Sequence, residues 1–202
     1  MSHYFSEHPD APSHPHSYPV TLRGNVYQVT GDTGVFSGHR LDRGTEVLLR
    51  KVPAPGLPAG GIALDLGCGW GPITLALAAE LPATAEVWAV DTNERARHLA
   101  AQNAAAAGFS PVVLDPDSAL DRLGNRRISL IWSNPPVRIG KEALHKLLLT
   151  WFSRLSDDAE AYCVVQRNLG SDSLASWLTD QGYPTEKLAS QKGFRVLRTV
   201  RG

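Results

Sequence analysis

Apolar and polar positions along the chain fall into two alternating kinds of run. Short apolar stretches recur at 62–66, 86–91, 112–114, 128–133 and 161–166, each bounded by polar or turn-forming residues. Such runs predict strands buried on both faces of a parallel sheet. Helix-forming stretches lie among them. Residues 73–80 are apolar all round and rich in alanine; 93–107 are alanine-rich and closed by Gly108; 142–155 place Leu144, Leu147, Leu148, Trp151 and Leu155 on one side; 173–181 predict one helix more. Two closing strands are predicted at 185–189 and 194–200. Seven strands with crossover helices predict one α/β domain over residues 62–202. Upstream, residues 20–29 alternate around Gly24-Asn25 and predict a hairpin, and Gly31-Asp32-Thr33-Gly34 is a second turn. Thr45 stands at an N-cap position ahead of Val47-Leu48-Leu49. Residues 52–61, rich in Pro and Gly, read as a linker, so 20–61 is expected to pack on the main domain as hairpin and linker.

Composition narrows the class. The chain has 202 residues, a formal net charge of zero and 43% hydrophobic residues, an ordinary globular balance. No apolar run is long enough to span a membrane, and the N-terminus lacks the basic start and apolar core of a signal peptide. Two distant cysteines, Cys68 and Cys163, make no disulfide framework, so a cytoplasmic monomer is expected. Residues 1–19 carry four histidines (His3, His8, His14, His16) and four prolines and predict a loosely ordered leader. His14-Pro15-His16 has no acidic or cysteine set beside it, so no metal site is expected. Charge divides unevenly. Residues 1–135 hold 10 Lys+Arg and 13 Asp+Glu, whereas residues 136–202 hold 10 and 7.

The chemistry gathers at strand ends. The first core strand runs into Leu64-Asp65-Leu66-Gly67-Cys68-Gly69-Trp70-Gly71-Pro72. Strand, glycine-rich turn and helix build a nucleotide site at the carboxyl edge of an α/β sheet. The spacing G-x-G-x-G departs from the dinucleotide fingerprint G-x-G-x-x-G. Asp65 would also repel a pyrophosphate at the helix N-terminus and suits a ligand with a positive end, which disfavours a nicotinamide oxidoreductase. Asp91 ends the second strand 26 residues on (91 − 65), followed by Thr92; an acid there accepts from ribose hydroxyls. After the fourth strand stands Ser133-Asn134-Pro135-Pro136-Val137-Arg138-Ile139-Gly140-Lys141. The prolines stiffen the backbone, and the Asn134 side-chain oxygen with the Pro135 carbonyl can accept from an exocyclic –NH₂. Transfer to such an amine rests on positioning and electrostatics. Neither cysteine has a His-Asp partner pattern, so both read as packing residues, as do Trp88, Trp132, Trp151 and Trp177.

The D-x-G-C-G-x-G run resembles the first motif of class I S-adenosylmethionine-dependent methyltransferases, whose cofactor carries a sulfonium and an ammonium. The chain as a whole resembles the small-domain methyltransferase family, whose best-known members methylate guanine N2 in ribosomal RNA. The matching pieces are His3-Tyr4-Phe5-Ser6, Gly34-Val35-Phe36-Ser37, Leu41-Asp42-x-Gly44-Thr45, Leu64 to Pro72, Ser133 to Lys141, Val165-Gln166-x-Asn168-Leu169-Gly170 and Gly193 to Leu197. The resemblance implies a Rossmann-like, mostly parallel seven-stranded sheet with a short N-terminal β extension. It implies S-adenosyl-L-methionine contacts at Thr45, Asp65, Gly67, Gly69 and Asp91, flanked by Cys68, Gly71, Thr92 and Asn134, with an adenine-binding acid at Asp115 or Asp117. It implies amine recognition by Asn134, Pro135 and Pro136, and ribosomal RNA or the small subunit as partner, met by Phe36, Arg138, Lys141, Lys192 and Arg195. Two departures stand out. Val137 replaces the Phe or Tyr that many amine methyltransferases place there, leaving stacking to Phe36 or Phe194. The second, N-terminal domain of the best-known members has no counterpart in these residues. The other readings are a methyltransferase of protein glutamine N5 or adenine N6, and a non-catalytic cofactor- or RNA-binding module.

Overall fold

The computed structural model describes residues 11–202. β1 (His16–Leu22) and β2 (Asn25–Gly31) form an antiparallel hairpin. Its two-residue turn is Arg23-Gly24, both with positive φ (47° and 90°), the mirror-image geometry that suits strand twist. The turn therefore sits one residue before the expected Gly24-Asn25. The strand also starts at His16, so residues 16–19, expected in the leader, are paired. Ser13 and His14 are held as well, both donating to the Asp32 carboxylate. Residues 1–10 of the expected leader, with His3 and His8, lie outside the described residues.

α1 (Arg43–Lys51) is capped by Asp42, whose carboxylate accepts from Gly44 N–H at 2.7 Å and Thr45 N–H at 3.1 Å. Thr45 is thus the third helical residue, not the cap, because Asp42 already satisfies the free N–H groups of the first turn. Then follow β3 (Ile62–Leu66), α2 (Pro72–Glu80), β4 (Glu86–Val90), α3 (Glu94–Ala106), β5 (Val112–Leu114), α4 (Pro116–Leu123), β6 (Ile128–Ser133), α5 (Lys141–Phe152), β7 (Leu155–Gln166), α6 (Ser171–Asp180), β8 (Thr185–Gln191) and β9 (Phe194–Val200). α4 is absent from the sequence expectation, although Asp115-Pro116 is an N-cap followed by proline at the first helical position, a helix start signal. β7 begins at Leu155 and not Ala161, because Leu155 already pairs with Ile128 of β6; β9 joins on the other flank from Glu160 onward.

The sheet order is β5-β4-β3-β6-β7-β9-β8. The first five strands of that order run parallel and the last two antiparallel to their neighbours. Alternate residues feed opposite layers. Ala63 and Trp132 pack with α1, α2, α3 and the hairpin, while Leu64 and Ile131 pack with α4, α5 and α6. Asn103 on α3 ties the hairpin to the glycine turn. Its Oδ1 accepts from Thr30 N–H at 2.8 Å, and its Nδ2 donates to the Thr30 and Trp70 carbonyls. Trp70 is buried, its ring edge-to-face with Tyr18. No described helix is long and apolar enough to cross a membrane.

Candidate active site

Register brings the chemistry together. Leu66 is paired with Val90 on one side and Ser133 on the other. The next residue of each strand, Gly67, Asp91 and Asn134, therefore leaves the sheet at one edge, where the strand order reverses. A ligand crevice belongs at that place in an open α/β sheet.

Gly67 and Gly69 turn the chain with φ of 79° and 55°. A Cβ built on either would meet nothing within 4 Å, so backbone is open to the crevice. Gly71 has another task. A Cβ there would stand 3.1 Å from the Ala100 backbone, so this glycine lets α2 and α3 approach. Asp91 holds the turn with one oxygen, accepting from Gly69 N–H at 2.9 Å, and the next loop with the other, accepting from Asn93 N–H at 2.9 Å. Burial raises its pKa. Asn93 donates from Nδ2 to the Gly34 carbonyl at 2.8 Å, pinning the loop that carries Phe36.

Asp65 does not line the crevice. It is fully buried behind the turn and accepts at one oxygen from Thr74 N–H (2.8 Å) and Thr74 hydroxyl (2.6 Å), securing the start of α2. Its Oδ1 has no hydrogen-bond partner, and burial pushes its pKa up to about 7. An unpartnered buried carboxylate oxygen behind an open glycine turn fits a ligand with a cationic end. It does not fit a pyrophosphate.

Two cavities meet over this edge. One, of about 180 Å³, is lined by Gly67, Gly69, Asp91 and Thr92 with the apolar Pro116, Ile139 and Leu147. The other, of about 370 Å³, is lined by Arg40, Arg43, Arg138, Gln166, Leu169 and Phe194 among others. Phe36, Asn134 and Pro136 line both. A third recess, of about 30 Å³, continues past Thr45 and the buried Cys68. Asn134 donates from Nδ2 to Asp42 Oδ2 at 2.8 Å and to Thr45 Oγ1 at 3.0 Å. Its Oδ1 takes no hydrogen bond among the described residues and is not sealed from solvent. The Pro135 carbonyl already accepts from Val137 N–H at 2.8 Å, which leaves it one lone pair.

Some expected site residues fall elsewhere. Asp117 is exposed in the first turn of α4 and lines neither cavity; Asp115 caps that helix through Ser118, and Pro116 takes the lining position. Lys141 is exposed outside both cavities. Lys192 is paired with Glu46 at 3.4 Å, and Arg195 with Asp172. Those pairs replace the free cations expected there. Arg138 does line the larger cavity, joined by Arg40 and Arg43, none with an ion pair among the described residues. Sequence reasoning missed Arg40, Arg43 and Asp42, although all lie in or beside the Leu41-Asp42-x-Gly44-Thr45 block. Burial raises both thiols well above their usual range, against a nucleophilic cysteine.

Residues 26–198 match the family described as methyltransferase small domain. An uncharacterised Bacillus subtilis protein, YbxB, is 30% identical over 197 residues, covering 97% of this chain and 96% of its own. Ribosomal RNA small subunit methyltransferase C of Pseudomonas entomophila is 30% identical over 189 residues, covering 92% of this chain and 54% of the relative. Among solved structures, the T. thermophilus 16S rRNA N2 G1207 methyltransferase, in complex with AdoMet and guanosine, superposes with a TM-score of 0.80 at 22% identity. That match covers 95% of this chain and 52% of the other. The chain thus spans about half the length of the ribosomal RNA methyltransferases it matches.

Proposed function

The chain belongs to the methyltransferase small-domain family, and from that premise we propose that it methylates an exocyclic amine, guanine N2 of small-subunit ribosomal RNA, as a cytoplasmic monomer. The observation that carries this reading is the meeting of the two cavities at Asn134, whose amide N–H groups are engaged inside the protein and whose carbonyl oxygen is not.

The smaller cavity would hold S-adenosylmethionine. Asp91 would accept from ribose hydroxyls, the Gly67–Gly69 backbone would lie against the methionine portion, and Pro116, Ile139 and Leu147 would pack on the adenine. When bound, that cofactor supplies an electrophilic methyl group on a sulfonium. The remaining work is done by the chain. Asn134 Oδ1 and the free lone pair of the Pro135 carbonyl accept the two N–H bonds of the amine, hold it in place and leave its nitrogen lone pair directed away from them. Phe36 and Phe194, both lining the larger cavity, would stack on a planar base in place of the missing aromatic at Val137. Arg40, Arg43 and Arg138 match a polyanion better than a protein glutamine, which supports the nucleic acid reading.

The test is methyl transfer to small-subunit ribosomal RNA, free and assembled, read by mass spectrometry of the nucleosides. N2-methylguanosine is the expected product. Asn134→Ala should slow single turnover about 10²–10³-fold, as loss of one preorganised polar contact does, with cofactor affinity little changed. Methylation at full rate by this variant would refute the amine clamp. A methylated glutamine or adenine as the product would replace the substrate.

A further inference from the structure

An amide has two unlike ends, and a clamp for an amine needs its carbonyl toward the substrate, not its –NH₂. We propose that Asp42 is the positioning residue that sets this polarity. The inference rests on the role given to Asn134 above. Both N–H groups of Asn134 are engaged, one by Asp42 Oδ2 at 2.8 Å and one by Thr45 Oγ1 at 3.0 Å. The two acceptors are not equivalent. A hydroxyl donates or accepts, so Thr45 tolerates either end of the amide. A carboxylate only accepts, so a reversed amide would set its carbonyl oxygen against Asp42 Oδ2, oxygen to oxygen with no proton between them. Asp42 alone makes the reversed state costly.

Asp42 is itself held in place. The same Oδ2 receives Gly44 N–H at 2.7 Å and Thr45 N–H at 3.1 Å at the start of α1, where the positive end of the helix sits beside its charge. Gly44 keeps this packing close, since a Cβ there would lie 2.9 Å from Asp42 Oδ2 and 3.1 Å from the Phe194 ring. The cap of one helix thereby fixes which atom of a residue 92 positions away faces the cleft. The consequence is a selection rule. A site with its carbonyl locked outward accepts a donor such as –NH₂ and rejects an unprotonated ring nitrogen or a carbonyl in the same place.

Two variants separate the lock from the cap. D42S keeps a hydroxyl able to cap α1 but too short to reach Asn134 as well; D42N keeps an oxygen at the shared position. The first readout is the NMR signal of the Asn134 side-chain amide in the whole protein without cofactor, assigned by its loss in Asn134→Ala. Two distinct, exchange-protected protons are expected in the wild type and in D42N. In D42S both should move toward the shifts of a free side-chain amide and lose protection. The second readout is single-turnover methyl transfer to ribosomal RNA. D42S should be slowed about 10²-fold, with KM and cofactor affinity within about twofold, and D42N should recover most of the rate. Unchanged amide signals in D42S overturn the proposal, as does a D42S that raises KM at wild-type rate. If the wild type methylates no RNA, the substrate assignment fails, while the amide signals still decide the lock.

Discussion

The two sides of Asn134 are built differently. Toward the smaller cavity, proposed above for the cofactor, the wall is backbone backed by buried carboxylates. Gly67 N–H is bonded to Val90, Gly69 N–H to Asp91, and Asp65 lies fully buried behind them. Toward the larger cavity, proposed above for the substrate, the wall is side chains with little to hold them: Phe36 is 45% exposed, Leu169 47%, and Arg40, Arg43 and Arg138 are exposed. A rigid, preorganised wall suits a small ligand that is the same at every turnover. An open rim of cations and apolar side chains suits a large partner that completes the site on arrival.

The comparison can be broken by exchanging these properties, the largest effect first. Gly67→Arg puts a side chain where the backbone alone should stand. Calorimetric titration with S-adenosylmethionine should then show no binding, with the thermal transition still cooperative; wild-type affinity would mean that the glycine edge is not the cofactor wall. On the other side, neutralising Arg40, Arg43 and Arg138 together should weaken RNA binding and lower the slope of log K against log salt by about 2–3, while cofactor affinity stays put. Equal slopes for variant and wild type would remove these arginines from the RNA surface.

A smaller effect concerns Asp65. Its folded-state pKa of about 7 lies above the ordinary 3.8, because burial penalises the charged form. Between those values the native protein binds more protons than the unfolded chain. Stability therefore falls as pH rises through that window and levels off above it. Asp65→Asn should abolish the slope, a difference on the order of 4 kcal/mol between pH 4 and pH 8 in denaturant titrations of the cofactor-free protein. An unaltered pH profile would show that Asp65 is not the group responsible. The least effect is expected from Lys192→Ala. Its side chain is half-exposed and paired with Glu46, so stability should change by less than ~1 kcal/mol and RNA affinity hardly at all. A marked drop in RNA affinity would return Lys192 to the binding surface.

Much of this was legible in the residues themselves. The apolar runs located the five parallel strands, since burial leaves a local mark, whereas β8 at the sheet edge is mostly exposed and carries no such run. The glycine turn, Asp91 and Asn134-Pro135-Pro136 were legible because backbone conformation and strand-end position are local properties, and register then places them at one edge. Tertiary structure decided what depends on distant partners. Whether a cation is free or spent is one such matter: Lys192 and Arg195 have the residue type but meet Glu46 and Asp172, and the rim falls to Arg40 and Arg43 instead. Whether an acid faces ligand or core is another. Asp65 and Asp117 looked like cofactor acids, yet one is sealed beneath the turn and the other stands in solvent. Asp42 shows the limit most plainly. Its capping bonds are local and readable, but its bond to Asn134 crosses 92 residues and exists only because β6 ends beside the start of α1. Patterns along a chain record what each segment buries and how its backbone turns; charge pairing, burial of single polar atoms and the facing of one side chain on another belong to the assembled fold.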